Sequence, residues 1–237
     1  MSGEVRVDSV PHLQRALAES FESAARTALR ERGRFTVALP GGSVVSTFFP
    51  TLAALPLEWA QIDFFWVDER CVPPTHPDSN FGLAYTYWLG PAKVPAARTH
   101  RMPGEAPDQQ EAAWGYSAEL VSLAGSPPQI DFVVLGVGPD GHIASLFPGH
   151  PILNEPSRLV AVVEDAPKPP PRRLTLTLPA LCHARALTVI ATGESKAEAI
   201  RLSLEPGSDL PLGRLSRCTS QLTYLLDKPA ASRLPKR

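Results

Sequence analysis

Four short runs of almost uninterrupted apolar residues, FTVAL at 35–39, IDFFWV at 62–67, DFVVLG at 131–136 and ALTVIA at 186–191, recur along the chain between segments of helical periodicity. A strand that is apolar on consecutive residues must be covered on both faces, and strands alternating with helices meet that condition by forming a mostly parallel sheet with helices on either side. Weaker strand candidates lie at 159–163, 174–178 and 222–226. Residues 11–32 place Leu13, Leu17, Phe21, Ala24 and Ala28 on one helical face, with Asp8 and Ser9 as capping candidates and Gly33 as a stop. Further helices are predicted from Val44, from Ser79 or Asn80 through Leu89, over 108–123, and after Thr192-Gly193-Glu194, where Ser195 and Glu198 have the spacing of a capping box. The expected organisation is a single α/β domain over 1–227 followed by a flexible C-terminal tail at 228–237.

A length of 237 residues suits one such domain. The 23 Lys and Arg residues are balanced by 24 Asp and Glu. There is therefore no basic excess to attract nucleic acid or an acidic membrane surface, and a bound anion must be captured by a local site. No apolar run approaches the ~20 residues of a membrane helix, and the charged N-terminus lacks the core of a signal peptide. Cys71, Cys182 and Cys218 show no ligand-like spacing, and an odd count builds no disulfide frame, so a reducing, cytoplasmic setting is expected. The 26 prolines cluster in loops, which they stiffen.

Ligands of parallel sheets sit beyond the carboxyl ends of the strands, which selects the loops 40–43, 68–80, 136–147 and 192–196. In the third, Gly136-Val137-Gly138-Pro139-Asp140-Gly141-His142 matches the dinucleotide pattern G-x-G-x-x-G. However, Asp140 would stand against a pyrophosphate, and the motif is mid-chain rather than in the opening turn. The alternative is a tight Asp-Gly turn that carries His142, a candidate general base at neutral pH, with Asp140 to orient it; an exposed histidine on a structural turn is the plain competing reading. Ser145 is expected to cap or pack, since no nucleophile elbow surrounds it. Pro40-Gly41-Gly42-Ser43, between a strand and a helix, can bring backbone N–H groups to an anion or can be an ordinary turn. Lys196, in the first turn of its helix where a cation opposes the dipole, is either a phosphate ligand or a surface lysine. Arg172 and Arg173 are both placed to fork onto a phosphate. Arg70 can bind substrate oxygens or an oxyanion, whereas Asp68 and Glu69 are read as structural. His76, His100, His150 and His183 form no metal-like set.

The stretches VALPGGS, DFFWVDER followed by PDSNFGLAY, DFVVLGVGPDGHIASLFPG, and PRRLTLTLPAL with TVIATGESKAEAI resemble the 6-phosphogluconolactonases of the pentose phosphate pathway, in order, across residues 35–205. The resemblance implies a Rossmann-like fold shared with glucosamine-6-phosphate deaminases, hydrolysis of a small sugar-phosphate lactone, and no metal or organic cofactor. It puts the general base on His142 with Asp140 as companion, and the DER arginine on Arg70. Phosphate contacts fall on Lys196, on Arg173 with Arg172 leaving the register open, and on the loop Gly41, Gly42 and Ser43. A monomer is expected, with a dimer as the alternative. Two rivals remain: a deaminase recruiting Asp68 as base, and a non-catalytic sugar-phosphate sensor, against which retention of both Asp140 and His142 argues.

Overall fold

The computed structural model describes residues 3–235; Met1 and Ser2 of the expected domain and Lys236 and Arg237 of the expected tail lie outside the described residues. In chain order the elements are β1 (Glu4–Asp8), α1 (Val10–Arg32), β2 (Phe35–Leu39), α2 (Ser43–Ala53), β3 (Ile62–Trp66), β4 (Asp68–Arg70), α3 (Asn80–Ala84, continued by a π turn over Tyr85–Leu89) and α4 (Gln109–Ala124). There follow β5 (Phe132–Gly136), β6 (Val160–Val163), β7 (Arg173–Leu176), α5 (Leu178–Cys182), β8 (Leu187–Ala191), α6 (Ala197–Ser203), α7 (Pro211–Cys218) and β9 (Leu222–Asp227).

Six strands form a parallel sheet in the order β1-β9-β8-β5-β2-β3. Every residue of β2, β3 and β8 is buried, which requires cover on both faces. From β2 the chain first moves outward to β3 and then returns to the other side of β2 as β5. The β2/β5 pair is thus the topological switch point, where connections leave in opposite directions and a crevice opens between them. A second sheet, antiparallel in the order β4-β7-β6, stands beside that crevice and carries Arg70 and Arg173 as cross-strand partners.

Several expectations are corrected. Residues 3–34 hold a strand as well as the expected helix: β1 pairs with β9 at the sheet edge, and its mostly exposed residues leave no apolar run to read. The strand expected at 174–178 ends at Leu176, and Leu178 opens a helix with proline in its first turn. Ser195 caps nothing; Gly193 at φ 89° precedes a 3-10 turn (Glu194–Lys196), and its N–H is held by the Asp227 carboxylate at 3.0 Å. Residues 228–235, expected to fray, fold back onto the body: Ala230 is fully buried and Arg233 reaches Glu198 at 2.8 Å. The cysteines also differ from expectation. Cys182 and Cys218 form a disulfide, with Cα atoms 5.5 Å apart, that ties the end of α5 to the end of α7, leaving Cys71 as the odd thiol. Helix α1 ends as foreseen, with Gly33 in the left-handed region at φ 71° and its N–H on Leu29 O.

Candidate active site

The four selected loops converge at the switch point on one cleft of about 280 Å³, just under the usual range for small-ligand pockets. All eight expected site residues, Gly41, Gly42, Ser43, Arg70, Asp140, His142, Arg173 and Lys196, lie at or beside it: seven line the wall, and Asp140 stands behind His142. Arg172, the other half of the arginine pair, points elsewhere, toward Glu164 at 3.9 Å.

Each loop has a local reason for its shape. After β2, Gly42 adopts φ 71°, a conformation side chains rarely tolerate, so that α2 can start at once with Ser43. Gly41 is required by close approach: a Cβ there would collide with the side-chain amide of Asn80. Asn80 in turn donates to Asp68 O at 2.9 Å and to the Asp68 carboxylate at 3.1 Å, locking the glycine loop to β4.

The charged end of β4 is built inward. Glu69 is buried and accepts from the N–H groups of Arg70, Asn80 and Phe81 at 2.7–2.8 Å and from Ser79 Oγ at 3.1 Å. Burial drives its pKa up against the pull of those donors. Asp68, also buried, accepts from Ser145 Oγ at 2.6 Å and lies 4.0 Å from Arg173 Nη1. The carboxylates therefore organise the loops, and Ser145 is a packed donor to one of them. Arg70 is aimed by the same frame, one Nη1 donating to Asp78 O at 2.8 Å.

The loop after β5 explains the glycine pattern that imitates a dinucleotide fingerprint. At Gly138 a Cβ would occupy the space taken by the His142 ring and the Asp140 carboxylate, and Gly141 sits at φ 88°. The glycines let an imidazole lie against the main chain. Gly138 N–H also donates to His142 O at 2.8 Å, closing the turn. His142 Nδ1 is 2.5 Å from Asp140 Oδ1. Because Asp140 is held ionised by the neighbouring histidine, despite the opposing effect of burial, Nδ1 carries the proton and Nε2 is left as the acceptor. Burial pushes the His142 pKa down and Asp140 pulls it partly back, the net being a lowered value. The ring is further fixed by Phe147, at 4.8 Å between centroids.

Lys196, in the same cleft wall, is half-buried; burial and then the nearby Lys168 lower its pKa, and the Asp140 carboxylate opposes them in part. Lys168 and Asn80 are wall residues that sequence reasoning did not single out. The signal for Lys168 was present, as the one basic residue within the run Pro167–Pro171. Among the described residues no cluster of three or more His, Cys, Asp or Glu is arranged to hold a metal ion, and no helix is long and apolar enough to cross a membrane.

Fold and cleft together define an α/β enzyme whose switch-point crevice brings an Asp–His pair and four cationic side chains to one cleft. The family described as "Glucosamine-6-phosphate isomerases/6-phosphogluconolactonase" matches residues 8–224, and the chain belongs to it. It is 38% identical to the 6-phosphogluconolactonase of Rattus norvegicus over 97% of this chain and 93% of that one, and 40% identical to that of Homo sapiens over 84% and 81%. Among solved structures, the 6-phosphogluconolactonase of Trypanosoma brucei superposes with a TM-score of 0.86 at 26% identity, covering 98% of this chain and 99% of that one. A monomeric glucosamine-6-phosphate deaminase shares the fold, with a TM-score of 0.81 at 21% identity over 97% and 99%. The chain is an enzyme, and the relatives it matches along most of its length are lactone hydrolases.

Proposed function

We propose that this enzyme hydrolyses 6-phospho-D-glucono-1,5-lactone to 6-phospho-D-gluconate, with His142 as general base. One observation carries the reading: a half-buried imidazole, oriented by Asp140 at 2.5 Å and held neutral by burial, lines one cleft together with Arg70, Lys168, Arg173 and Lys196. His142 Nε2 takes a proton from water as the oxygen attacks the lactone carbonyl carbon. The imidazolium that forms is stabilised by Asp140. Collapse of the tetrahedral intermediate breaks the bond to the ring oxygen, which leaves with the proton from His142, and the new carboxylic acid ionises. General-base help of this kind contributes about 10²–10⁴ in rate. Arg70 and loop N–H groups are suited to the oxyanion, where one donor contributes about 3 kcal/mol in comparable sites. Lys196 and the N–H groups at 41–43 receive the 6-phosphate, with Arg173 behind them. Nothing in this scheme calls on a metal or an organic cofactor, and we take the enzyme to act as a monomer in the cytoplasm; that placement rests on the resemblance alone, because the Cys182–Cys218 bridge removes the argument from reduced cysteines.

The deaminase reading requires a free carboxylate to abstract a proton beside a carbonyl. Asp68, the residue available for that task, is already engaged by Ser145, Asn80 and Arg173. The test is an assay on freshly prepared lactone with spontaneous hydrolysis subtracted, run beside one for ammonia release from glucosamine-6-phosphate. Lactone turnover without ammonia is expected; ammonia release without lactone turnover would reverse the assignment.

A further inference from the structure

Four cationic side chains border the cleft, Arg70, Lys168, Arg173 and Lys196, and they are not equally free to meet an anion. Arg173 is 3% exposed. Its Nε donates to Pro170 O at 3.1 Å and its Nη2 to Lys168 O at 3.0 Å, while Nη1 faces the Asp68 carboxylate at 4.0 Å. Its guanidinium carbon also lies 5.7 Å from the centroid of the Phe147 ring. All three nitrogens thus face protein partners. A guanidinium held in this way is a brace, and what it braces is the loop between β6 and β7.

That loop is stiff in its own right. Ala166 N–H closes it on Pro171 O at 3.0 Å, and Ala166 is buried against Phe147 and Val163. Residues 167, 169, 170 and 171 are prolines, which fix φ and narrow the accessible conformations. Lys168 is the one residue in the run with a long side chain, and it stands exposed at the mouth of the cleft. Among the described residues neither its ammonium nor that of Lys196 makes a hydrogen bond or a close ion pair, and the Asp140 carboxylate is an opposite charge that both feel. The two ammonium groups bordering one cleft repel each other, an effect that Asp140 offsets only in part and that a dianion lying between them would relieve.

We infer that Lys168 is a substrate-binding residue that clamps the phosphate together with Lys196, and that Arg173 is the positioning residue that fixes the loop carrying it. The inference rests on the reading of the cleft as a site for a phosphorylated lactone. It divides the cationic wall into two lysines that grip and one arginine that holds the frame.

The test compares wild type, Lys168→Met and Lys168→Arg in lactone hydrolysis and in competitive inhibition by inorganic phosphate. Both variants keep the backbone carbonyl that Arg173 uses, so the loop stays braced. For Lys168→Met, KM rises on the order of tenfold, as expected for losing a charge-assisted contact, and the inhibition constant for phosphate rises with it. Its kcat stays within about twofold of wild type, since the contact is made equally in ground and transition states. Lys168→Arg restores most of the KM, and the gap between wild type and Lys168→Met narrows as ionic strength rises. A fall in kcat at unchanged KM, or phosphate inhibition equal to that of wild type, overturns the assignment. If wild type shows no lactone turnover, phosphate binding measured by calorimetry separates the two readings. Binding that depends on Lys168 keeps the clamp and rejects the lactonase, whereas binding indifferent to Lys168 rejects the clamp.

Discussion

Replacing Gly138 with alanine adds one methyl group, and the structure says where that methyl must go. The space beyond the Gly138 Cα is occupied by the His142 imidazole and the Asp140 carboxylate, so Cβ and the ring cannot both keep their places. The backbone turn is anchored by the Gly138 N–H bond to His142 O, so the movable partner is the imidazole. Swinging it aside breaks the 2.5 Å Nδ1–Oδ1 contact and misaims Nε2. The expected loss is the general-base contribution itself, about 10²-fold or more in kcat. The displaced atoms are side-chain ends at a cleft wall rather than core packing, so the cost to stability stays near the low end of overpacking, about 1 kcal/mol. Steady-state kinetics on the lactone together with thermal unfolding read both quantities. A Gly138→Ala enzyme with wild-type kcat would refute the argument that this glycine makes room for a working histidine; a variant that fails to fold would refute the placement of the strain.

Asp140→Asn removes the charge that pulls the His142 pKa upward, so the acidic limb of the kcat profile should move to lower pH while the plateau falls; a limb that stays put would remove Asp140 as the imidazole's partner. His100 is bonded at Nε2 to Asp63 at 3.0 Å and at Nδ1 to Glu119 at 2.6 Å, and although burial pushes its pKa down these two carboxylates leave it raised above 6.5. A raised histidine stabilises the fold fully below its unfolded pKa and loses that contribution as pH climbs through the folded value. Stability should therefore decline upward from about pH 6.5, and His100→Gln should flatten that slope in denaturant titrations. Cutting the Cys182–Cys218 bridge, which closes a separation of 36 residues, should destabilise by about 4 kcal/mol on chain-entropy grounds. An unfolding midpoint that is the same with and without reductant, and unmoved by Cys182→Ser, would contradict this.

The central strands were legible because burial on both faces leaves an uninterrupted apolar signature, and β2, β3, β5 and β8 all carry it. The strands that escaped notice lack that signature for physical reasons. β1 is an edge strand whose exposed residues include Glu4 and Arg6, paired with each other at 2.8 Å. β4 is three charged residues whose carboxylates are satisfied by loop donors far along the chain rather than by apolar neighbours. The site was legible as loops at strand ends, and Asp140 and His142 stood out because a turn two residues long brings them together. The bracing role inferred for Arg173 was not, because whether an arginine in the cleft wall grips a ligand or holds a loop depends on carbonyls at 168 and 170 that only the folded chain presents. The disulfide was equally hidden, since α5 and α7 meet in space without any spacing motif to announce it.

The account stands on an imidazole that takes a proton from water, and the most direct measurement is single-turnover hydrolysis of the phosphorylated lactone by His142→Ala. The rate constant should fall by about 10²–10⁴ while affinity for the substrate's phosphate, read from inhibition by inorganic phosphate, stays at the wild-type value. A His142→Ala enzyme that opens the lactone as fast as wild type would contradict the account at its root.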